Sequence, residues 1–126
     1  MSIPEQFRYS SDHEWIAIEG GTARIGITHY AQDALGDVVY VQIPSLGAVV
    51  AAGETMSEVE STKSVSDIYA PITGSIAEVN AALESQPELL NSDPYGAGWI
   101  CRIEISDPAE VAGLMDAEAY RVLTEG

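Results

Sequence analysis

Short β-branched and aromatic runs, interrupted by glycine and proline, fill most of this chain, and this pattern constrains its fold most strongly. The runs at 13–18 and 22–27 flank Gly20-Gly21, an arrangement typical of a hairpin. Many short strands separated by such turns predict a mainly β fold, either a sandwich or a flattened barrel. Further strands are expected at 38–43, 49–50, 55–60, 65–69, 75–79 and 99–105.

Capping residues mark the expected helices. Thr28 and Gly36 bracket a short internal helix at 29–35, because threonine caps helix N-termini and glycine commonly ends a helix. Asp107-Pro108 is a typical helix start, with a capping side chain followed by proline at the first helical position. The other short helices are expected at 87–90 and 116–123.

A weak internal repeat brackets residue 63. Pro44-x-x-Gly47 and Pro71-x-x-Gly74 each follow one β-branched run and precede another. Two related half-units joined by a hairpin would place Lys63 at the tip of the joint. The alternative is that Pro-x-x-Gly recurs by chance in a protein with many turns.

The charge balance excludes several classes of partner. The 126 residues, with 46% hydrophobic side chains, are expected to form a single domain over 1–126 with its own core. Lys+Arg is 5, Asp+Glu is 20 and the net charge is −15, so nucleic acid and anionic membranes are not expected partners. Such a chain repels its own copies and docks on basic surfaces of other proteins, so a monomer is predicted. The single cysteine, Cys101, fits a reducing compartment.

Lys63 is the only lysine in the chain. If strands pair around the turn at 61–64, Glu60 faces Val65 and Glu58 faces Asp67, which leaves Lys63 exposed. Schiff-base catalysis needs a depressed lysine pKa, whereas the neighbouring carboxylates favour the charged ammonium. An enzymatic role is therefore not expected. The open alternatives are acylation by a modifying enzyme, which would attach a swinging cofactor, and a solvated lysine without a role.

Six blocks in order carry a resemblance to a known family. They are YSSDHEW at 9–15, IGIT at 25–28, AQD at 31–33, LGDVVYV at 35–41, EVESTKSVSDIYAPITG at 58–74 and LNSDPYGAGWI at 90–100. From about residue 7 to 123 the chain resembles the H proteins of the glycine cleavage system. This family implies two antiparallel sheets of the biotinyl/lipoyl-carrier type, with a short internal helix and short C-terminal helices.

The resemblance implies a carrier without an active site of its own and without a metal site. Lipoate would be joined as an amide to Lys63 by lipoate-attaching enzymes. A pyridoxal-phosphate glycine dehydrogenase (decarboxylating) would load an aminomethyl group, a tetrahydrofolate-dependent aminomethyltransferase would remove it, and dihydrolipoyl dehydrogenase would reoxidise the arm.

The resemblance also implies roles for acidic residues. Glu14, Asp12 and Asp67 match the polar side of a cleft that shelters the loaded arm, where carboxylates would hold a protonated amine. Some relatives have a histidine at the position of Ala34, so no role is assigned there. Glu58 and Glu60 are expected to be surface groups of a recognition hairpin.

Three other interpretations compete with this one. A lipoyl domain of a 2-oxo-acid dehydrogenase would be shorter and would lack the His13-Glu14-Trp15 hairpin, and a biotin domain would set its lysine between methionines. A relay protein that donates lipoate to other carriers would use the same lysine. An acidic interaction domain would carry no cofactor. The N-terminus shows no signal or transit pattern, so the bacterial cytoplasm is expected, or the mitochondrial matrix for a processed eukaryotic chain.

Overall fold

Antiparallel β-strands form two sheets in the computed structural model, which describes residues 3–125. The strands are β1 Arg8–Tyr9, β2 Glu14–Glu19, β3 Thr22–Ile27, β4 Val38–Val41, β5 Val49–Val50, β6 Thr55–Ser61, β7 Val65–Tyr69, β8 Gly74–Val79 and β9 Cys101–Ile105. The helices are α1 His29–Leu35, α2 Ala82–Ser85, α3 Leu89–Ser92, α4 Pro108–Ala112 and α5 Ala117–Glu125.

The larger sheet has six strands in the order β1-β2-β3-β9-β8-β5, and the smaller has three in the order β4-β6-β7. This arrangement confirms the prediction of a mainly β fold with two antiparallel sheets and short helices. The sheets do not close into a barrel over the described residues. Both Pro-x-x-Gly turns connect a strand of the small sheet to a strand of the large one, β4 to β5 and β7 to β8.

The core lies between the sheets because alternate strand residues point inward. In β3 and β9 the alternating Ile25, Ile27, Cys101 and Ile103 are almost completely buried. A second, aromatic cluster joins the N-terminal segment to α5, where the rings of Tyr9 and Tyr120 stack with centroids 4.7 Å apart. Over residues 3–125, no helix is long and apolar enough to cross a membrane.

Local signals predicted most element bounds, with several differences. The strand expected at 38–43 ends at Val41, the helix expected at 87–90 is α3 at Leu89–Ser92, and neither β1 nor α2 was expected. The strand expected at 99–105 begins at Cys101 instead. The Asn80 side-chain amide donates to the carbonyls of Ala97 and Trp99, so these carbonyls bind a side chain and not a neighbouring strand.

Candidate functional site

Lys63 lies at the tip of the hairpin that joins β6 and β7. The predicted register is confirmed, with Glu60 opposite Val65 and Glu58 opposite Asp67. The Ser61 hydroxyl accepts the N–H groups of Lys63 and Ser64, each at 3.2 Å. The Ser61 N–H also donates to the Ser64 carbonyl at 2.8 Å. The turn is therefore held by Ser61, through both its hydroxyl and its backbone N–H, and Lys63 is left exposed.

The hairpin tip rests on the C-terminal end of α1. Gly36 ends this helix with φ 80°, a conformation that favours glycine. A Cβ atom at this position would lie 3.2 Å from Cε and 3.4 Å from Cδ of Lys63. The Thr62 N–H donates to the Asp37 carbonyl at 3.0 Å. The aliphatic part of the Lys63 side chain therefore packs on the Gly36 backbone, where no side chain obstructs it.

Asn91 holds this support in place from α3. Its Oδ1 accepts the Val38 N–H at 2.8 Å. Its Nδ2 donates to the Gly36 carbonyl at 2.8 Å and to Oε1 of Gln32 at 3.1 Å. The half-buried Asn91 side chain thus fixes both the end of α1 and the start of β4, the two segments beside the Gly36 backbone on which Lys63 lies.

The N-terminal end of α1 is fixed as well. Thr28 caps the helix by accepting the Ala31 N–H at 3.2 Å. The Tyr120 hydroxyl lies 2.7 Å from the Thr28 hydroxyl and 2.8 Å from Nδ1 of His13. Because both ends of α1 are bonded to other elements, this short helix is a firm wall beside the hairpin.

A cavity of about 260 Å³ opens between α1 and the hairpin. Its apolar wall comes mainly from α1 and the sheets, and its polar wall from the hairpin and the segment before β2. Asp12 and Asp67 are the acids in its lining, and Ala34 belongs to the wall that α1 forms. The lining residues are Asp12, Ile27, Ala31, Ala34, Leu35, Ser64, Ser66, Asp67 and Ile68.

Glu14 is not among the residues that line this cavity. It is only 1% exposed, and its two carboxyl oxygens accept the Ser10 hydroxyl at 2.8 Å and the Tyr69 N–H at 3.0 Å. Burial raises the pKa of Glu14 to about 7, against the opposing effect of these two hydrogen bonds. The structure thus brings Asp12 and Asp67 together at the cavity, and it places Glu14 behind them as a buried link to β7.

The acids of the hairpin are accessible to a partner. Glu58 and Glu60 are half-buried and Asp67 is exposed. Within the described part of the chain, the ion pairs join Arg24, Arg102 and Arg121 to Glu19, Glu78 and Glu118. The hairpin acids therefore keep their charge available for another molecule.

Comparison with known proteins explains this arrangement. The family model described as glycine cleavage H-protein matches residues 7–126. The chain belongs to the glycine cleavage H-protein family. This membership confirms the prediction of a lipoyl carrier in glycine cleavage, not an enzyme, and it does not favour the competing interpretations.

Relatives of this H-protein family cover almost the whole chain. The glycine cleavage system H protein of Beutenbergia cavernae is 54% identical over 126 residues, covering 100% of this chain and 99% of that protein. That of Mycobacterium tuberculosis strain H37Rv is 57% identical over 132 residues, covering 98% of each. A crystal structure of the H protein from Mycobacterium marinum has a TM-score of 0.90 at 45% identity, covering 98% of this chain and 100% of that one.

Sequence reasoning found the lysine and its acids but missed the supports beneath them. Ser61 stands in the turn expected at 61–64, where serine hydroxyls often bond nearby backbone N–H groups, but no pattern in the sequence singles it out. Gly36 was identified as a helix end, but its contact with Lys63 was not. Asn91 stands in a block that resembles the family, and no local pattern indicates its partners.

Proposed function

We propose that Lys63 carries lipoate as an amide on Nζ. The loaded chain takes the aminomethyl group of glycine from glycine dehydrogenase (decarboxylating) to aminomethyltransferase, and electrons to dihydrolipoyl dehydrogenase. The observation that carries this proposal is the position of the only lysine at an exposed hairpin tip beside the 260 Å³ cavity. The setting proposed for these reactions is the bacterial cytoplasm, with the chain acting as a monomer.

The residues present fit a lipoyl arm. The exposed turn presents Nζ to a modifying enzyme in a pose that the Ser61 hydrogen bonds hold. Lysine stem and lipoyl chain together reach on the order of 15 Å at ordinary bond lengths. Ile27, Leu35 and Ile68 offer apolar surface for an aliphatic chain, while Asp12 and Asp67 offer acceptors for a polar cargo.

When bound, lipoate supplies a disulfide that can accept electrons together with a one-carbon amine. The chain's own residues bind and shelter this cargo. The apolar cavity wall excludes water from the arm, and the carboxylates of Asp12 and Asp67 accept hydrogen bonds from a protonated amine. Because these acceptors are charged and lie beside an apolar wall, the arm should stay in the cavity most when it carries the protonated amine.

For Glu14, the expectation of a direct bond to the cargo stays a prediction, and its buried position gives it a second way to act. Its bond to the Tyr69 N–H joins β2 to β7, the strand that also carries Asp67. Glu14 therefore positions the strand that forms the hairpin wall of the cavity. This role is separate from the expected direct bond to the cargo.

Glu58 and Glu60 give the hairpin a negative face toward its enzymes. Carboxylates near an interface speed encounter with a basic partner and orient it. The lipoate-attaching enzyme and the three enzymes of the cycle are therefore proposed to carry basic surfaces where they meet this hairpin.

Mass spectrometry tests the proposal directly. Protein made in a host with active lipoyl enzymes should gain the mass of one lipoyl group, and peptide mapping should place it on Lys63. Lys63→Arg keeps the charge and should abolish the modification, while Arg24→Lys adds a lysine away from the hairpin and should gain none there. An unmodified wild-type chain, or lipoate at another residue, would refute the proposal.

A further inference from the structure

The hydroxyl of Tyr120, on α5, bonds to two segments that line the cavity beside Lys63. It lies 2.7 Å from the hydroxyl of Thr28, the residue that caps α1, and 2.8 Å from Nδ1 of His13, in the loop before β2. Tyr120 and Thr28 are fully buried. These three residues, here named the triad, therefore join α5 both to the helix that forms the apolar wall and to the loop that carries Asp12.

The backbone of His13 determines where Asp12 lies. His13 has φ 67°, a left-handed conformation that is uncommon outside glycine and persists where surrounding contacts hold it. Its carbonyl accepts the Thr28 N–H at 3.0 Å, and its own N–H donates to the Ser10 carbonyl at 3.1 Å. Its ring stacks on Tyr30 of α1, with centroids 4.4 Å apart. Because Asp12 directly precedes His13 and lines the cavity, the contacts of His13 position the Asp12 carboxylate.

The hydroxyl protons of the triad select the neutral form of His13. Burial raises the pKa of Tyr120 to about 12, so its hydroxyl keeps its proton. When Nδ1 of His13 is unprotonated, it accepts that proton and the Tyr120 oxygen accepts the Thr28 hydroxyl, so every group is paired. When Nδ1 carries a proton, one of the two hydroxyl protons has no acceptor among these three side chains. A buried polar group without a partner is costly, so the triad is intact only with His13 neutral.

The surroundings of His13 also favour the neutral ring. The titratable groups that contact this ring or act on its charge are Tyr30 on α1, Tyr120 on α5 and the adjacent Asp12. Burial lowers the pKa of His13 from 6.5, against the opposing charge of Asp12. The triad is therefore intact at neutral pH, and it breaks as the pH falls through a value below 6.5.

We infer that Tyr120 and His13 are positioning residues for the cargo, because the triad holds the Asp12 carboxylate and the α1 wall where they shelter a protonated amine. This inference rests on the proposed lipoylation of Lys63. Asp12 contacts the amine, and the triad acts through Asp12. When the triad breaks, the left-handed loop loses a polar support, so the cavity holds the amine less often and the cargo is lost sooner.

Tyr120→Phe tests the inference because it removes the hydroxyl and keeps the ring that stacks on Tyr9. In protein that carries the aminomethyl group, without the other enzymes, this variant should release ammonia about threefold faster than wild type at about pH 7.5. At about pH 5 the ratio of the two rates should fall towards one, since protonation of His13 has already broken the wild-type triad. This ratio cancels any intrinsic effect of pH on the cargo.

His13→Asn separates the hydrogen bond from the proton. Asparagine tolerates the left-handed backbone, and its amide oxygen can accept the Tyr120 hydroxyl without titrating. The variant should release ammonia at the wild-type rate at about pH 7.5. At about pH 5 it should be about threefold slower than wild type, because its triad stays intact.

Tyr9→Phe is the matched control, because Tyr9 is equally buried but its hydroxyl donates to the Pro4 carbonyl and not to a segment of the cavity lining. It should release ammonia at the wild-type rate, whatever stability it loses. Hydrogen exchange on unmodified protein gives a second readout. The N–H groups of Thr28 and Ala31, which donate to the His13 carbonyl and the Thr28 hydroxyl, should exchange at least about threefold faster in Tyr120→Phe than in Tyr9→Phe.

The outcomes separate the triad from the proposed function. Ammonia release at the wild-type rate from Tyr120→Phe, a rate ratio that does not change with pH, or equal exchange in the two phenylalanine variants would each overturn the inference. So would His13→Asn that follows the wild-type pH profile. A wild-type chain that gains no lipoate at Lys63 would instead refute the proposed function on which the inference rests.

Discussion

The stem of Lys63 lies across Gly36, with its Cε 3.2 Å from the point that a Cβ on Gly36 would occupy. This contact joins a hairpin tip to a helix end that is distant in the chain. It gives the Lys63 side chain a defined starting direction across the end of α1. Glycine at position 36 is thus needed twice, for the backbone conformation that ends α1 and for the space that the Lys63 side chain occupies.

Gly36→Ala should therefore slow lipoylation. The left-handed backbone at φ 80° should cost about 1–3 kcal/mol of stability in the variant, and the new methyl group should push the lysine stem aside. The initial rate of lipoylation by the purified attaching enzyme, measured by intact mass, should fall about threefold or more.

Gly47→Ala separates backbone strain from the contact. Gly47 also has a positive φ, 84°, but nothing lies within 4 Å of a Cβ placed there. This variant should lose a similar amount of stability and be lipoylated at the wild-type rate. Equal rates for the two variants would mean that the contact of Gly36 with Lys63 does not matter for modification.

Asn91 is predicted to position the Gly36 backbone on which the Lys63 side chain lies. Asn91→Ala removes the acceptor of the Val38 N–H and the donor to the Gly36 carbonyl, and unmet polar groups cost about 1–3 kcal/mol. Urea unfolding should show this loss, and the lipoylation rate should fall. Asn80→Ala, which loses bonds to Ala97 and Trp99, should be destabilised comparably without slower lipoylation. If the two variants are lipoylated alike, the effect of Asn91 is on stability alone.

Local signals were sufficient for the hairpins and the capped helices. Gly20-Gly21 specified the turn between β2 and β3, and Thr28 and Gly36 specified the ends of α1. The pairing of Glu60 with Val65 followed from a short turn between two β-branched runs, because register in a hairpin is determined by its loop length.

Long-range contacts explain what sequence reasoning could not find. Asn91 and Gly36 are 55 positions apart, and only the packing of α3 against α1 brings them together. Glu14 has the same difficulty, since a glutamate at the start of a strand is normally exposed. Its burial depends on Ser10 and on the distant Tyr69, and no periodicity in the sequence indicates the second of these.

Glu14 should make the stability of the chain depend on pH. Burial raises the pKa of Glu14 from 4.5 to about 7, so the folded chain favours the protonated carboxyl. The cost of ionisation is absent below about pH 4.5, grows as pH rises and is complete above about pH 7, where it reaches about 3 kcal/mol. Glu14→Gln has no such proton to lose. Its free energy of unfolding, relative to wild type, should therefore rise by about 3 kcal/mol between about pH 4.5 and pH 8.

Urea unfolding at several pH values measures this difference. Glu84→Gln, at an exposed position on α2, should follow the wild-type curve throughout. Parallel curves for Glu14→Gln and wild type would mean that the carboxyl is stabilised in its charged form by the bonds to Ser10 and Tyr69 as much as burial destabilises it.

The acids of the cavity should slow the loss of the cargo from the loaded arm. Asp12 and Asp67 line the cavity, so the double change to asparagine keeps the shape and removes the charges that would hold a protonated amine. A charge-assisted hydrogen bond contributes roughly 1.5–3 kcal/mol. In the double variant, ammonia should therefore be released from loaded protein about tenfold faster than in wild type, measured without the other enzymes. The same measurement on Glu14→Gln tests the expected direct bond of Glu14 to the amine, since the oxygens of Glu14 are now bonded to Ser10 and Tyr69. Asp33→Asn, on α1 but outside the cavity lining, should leave the rate unchanged. Fast decay in Glu14→Gln alone would instead show that the buried carboxyl turns into the cavity and receives the amine itself.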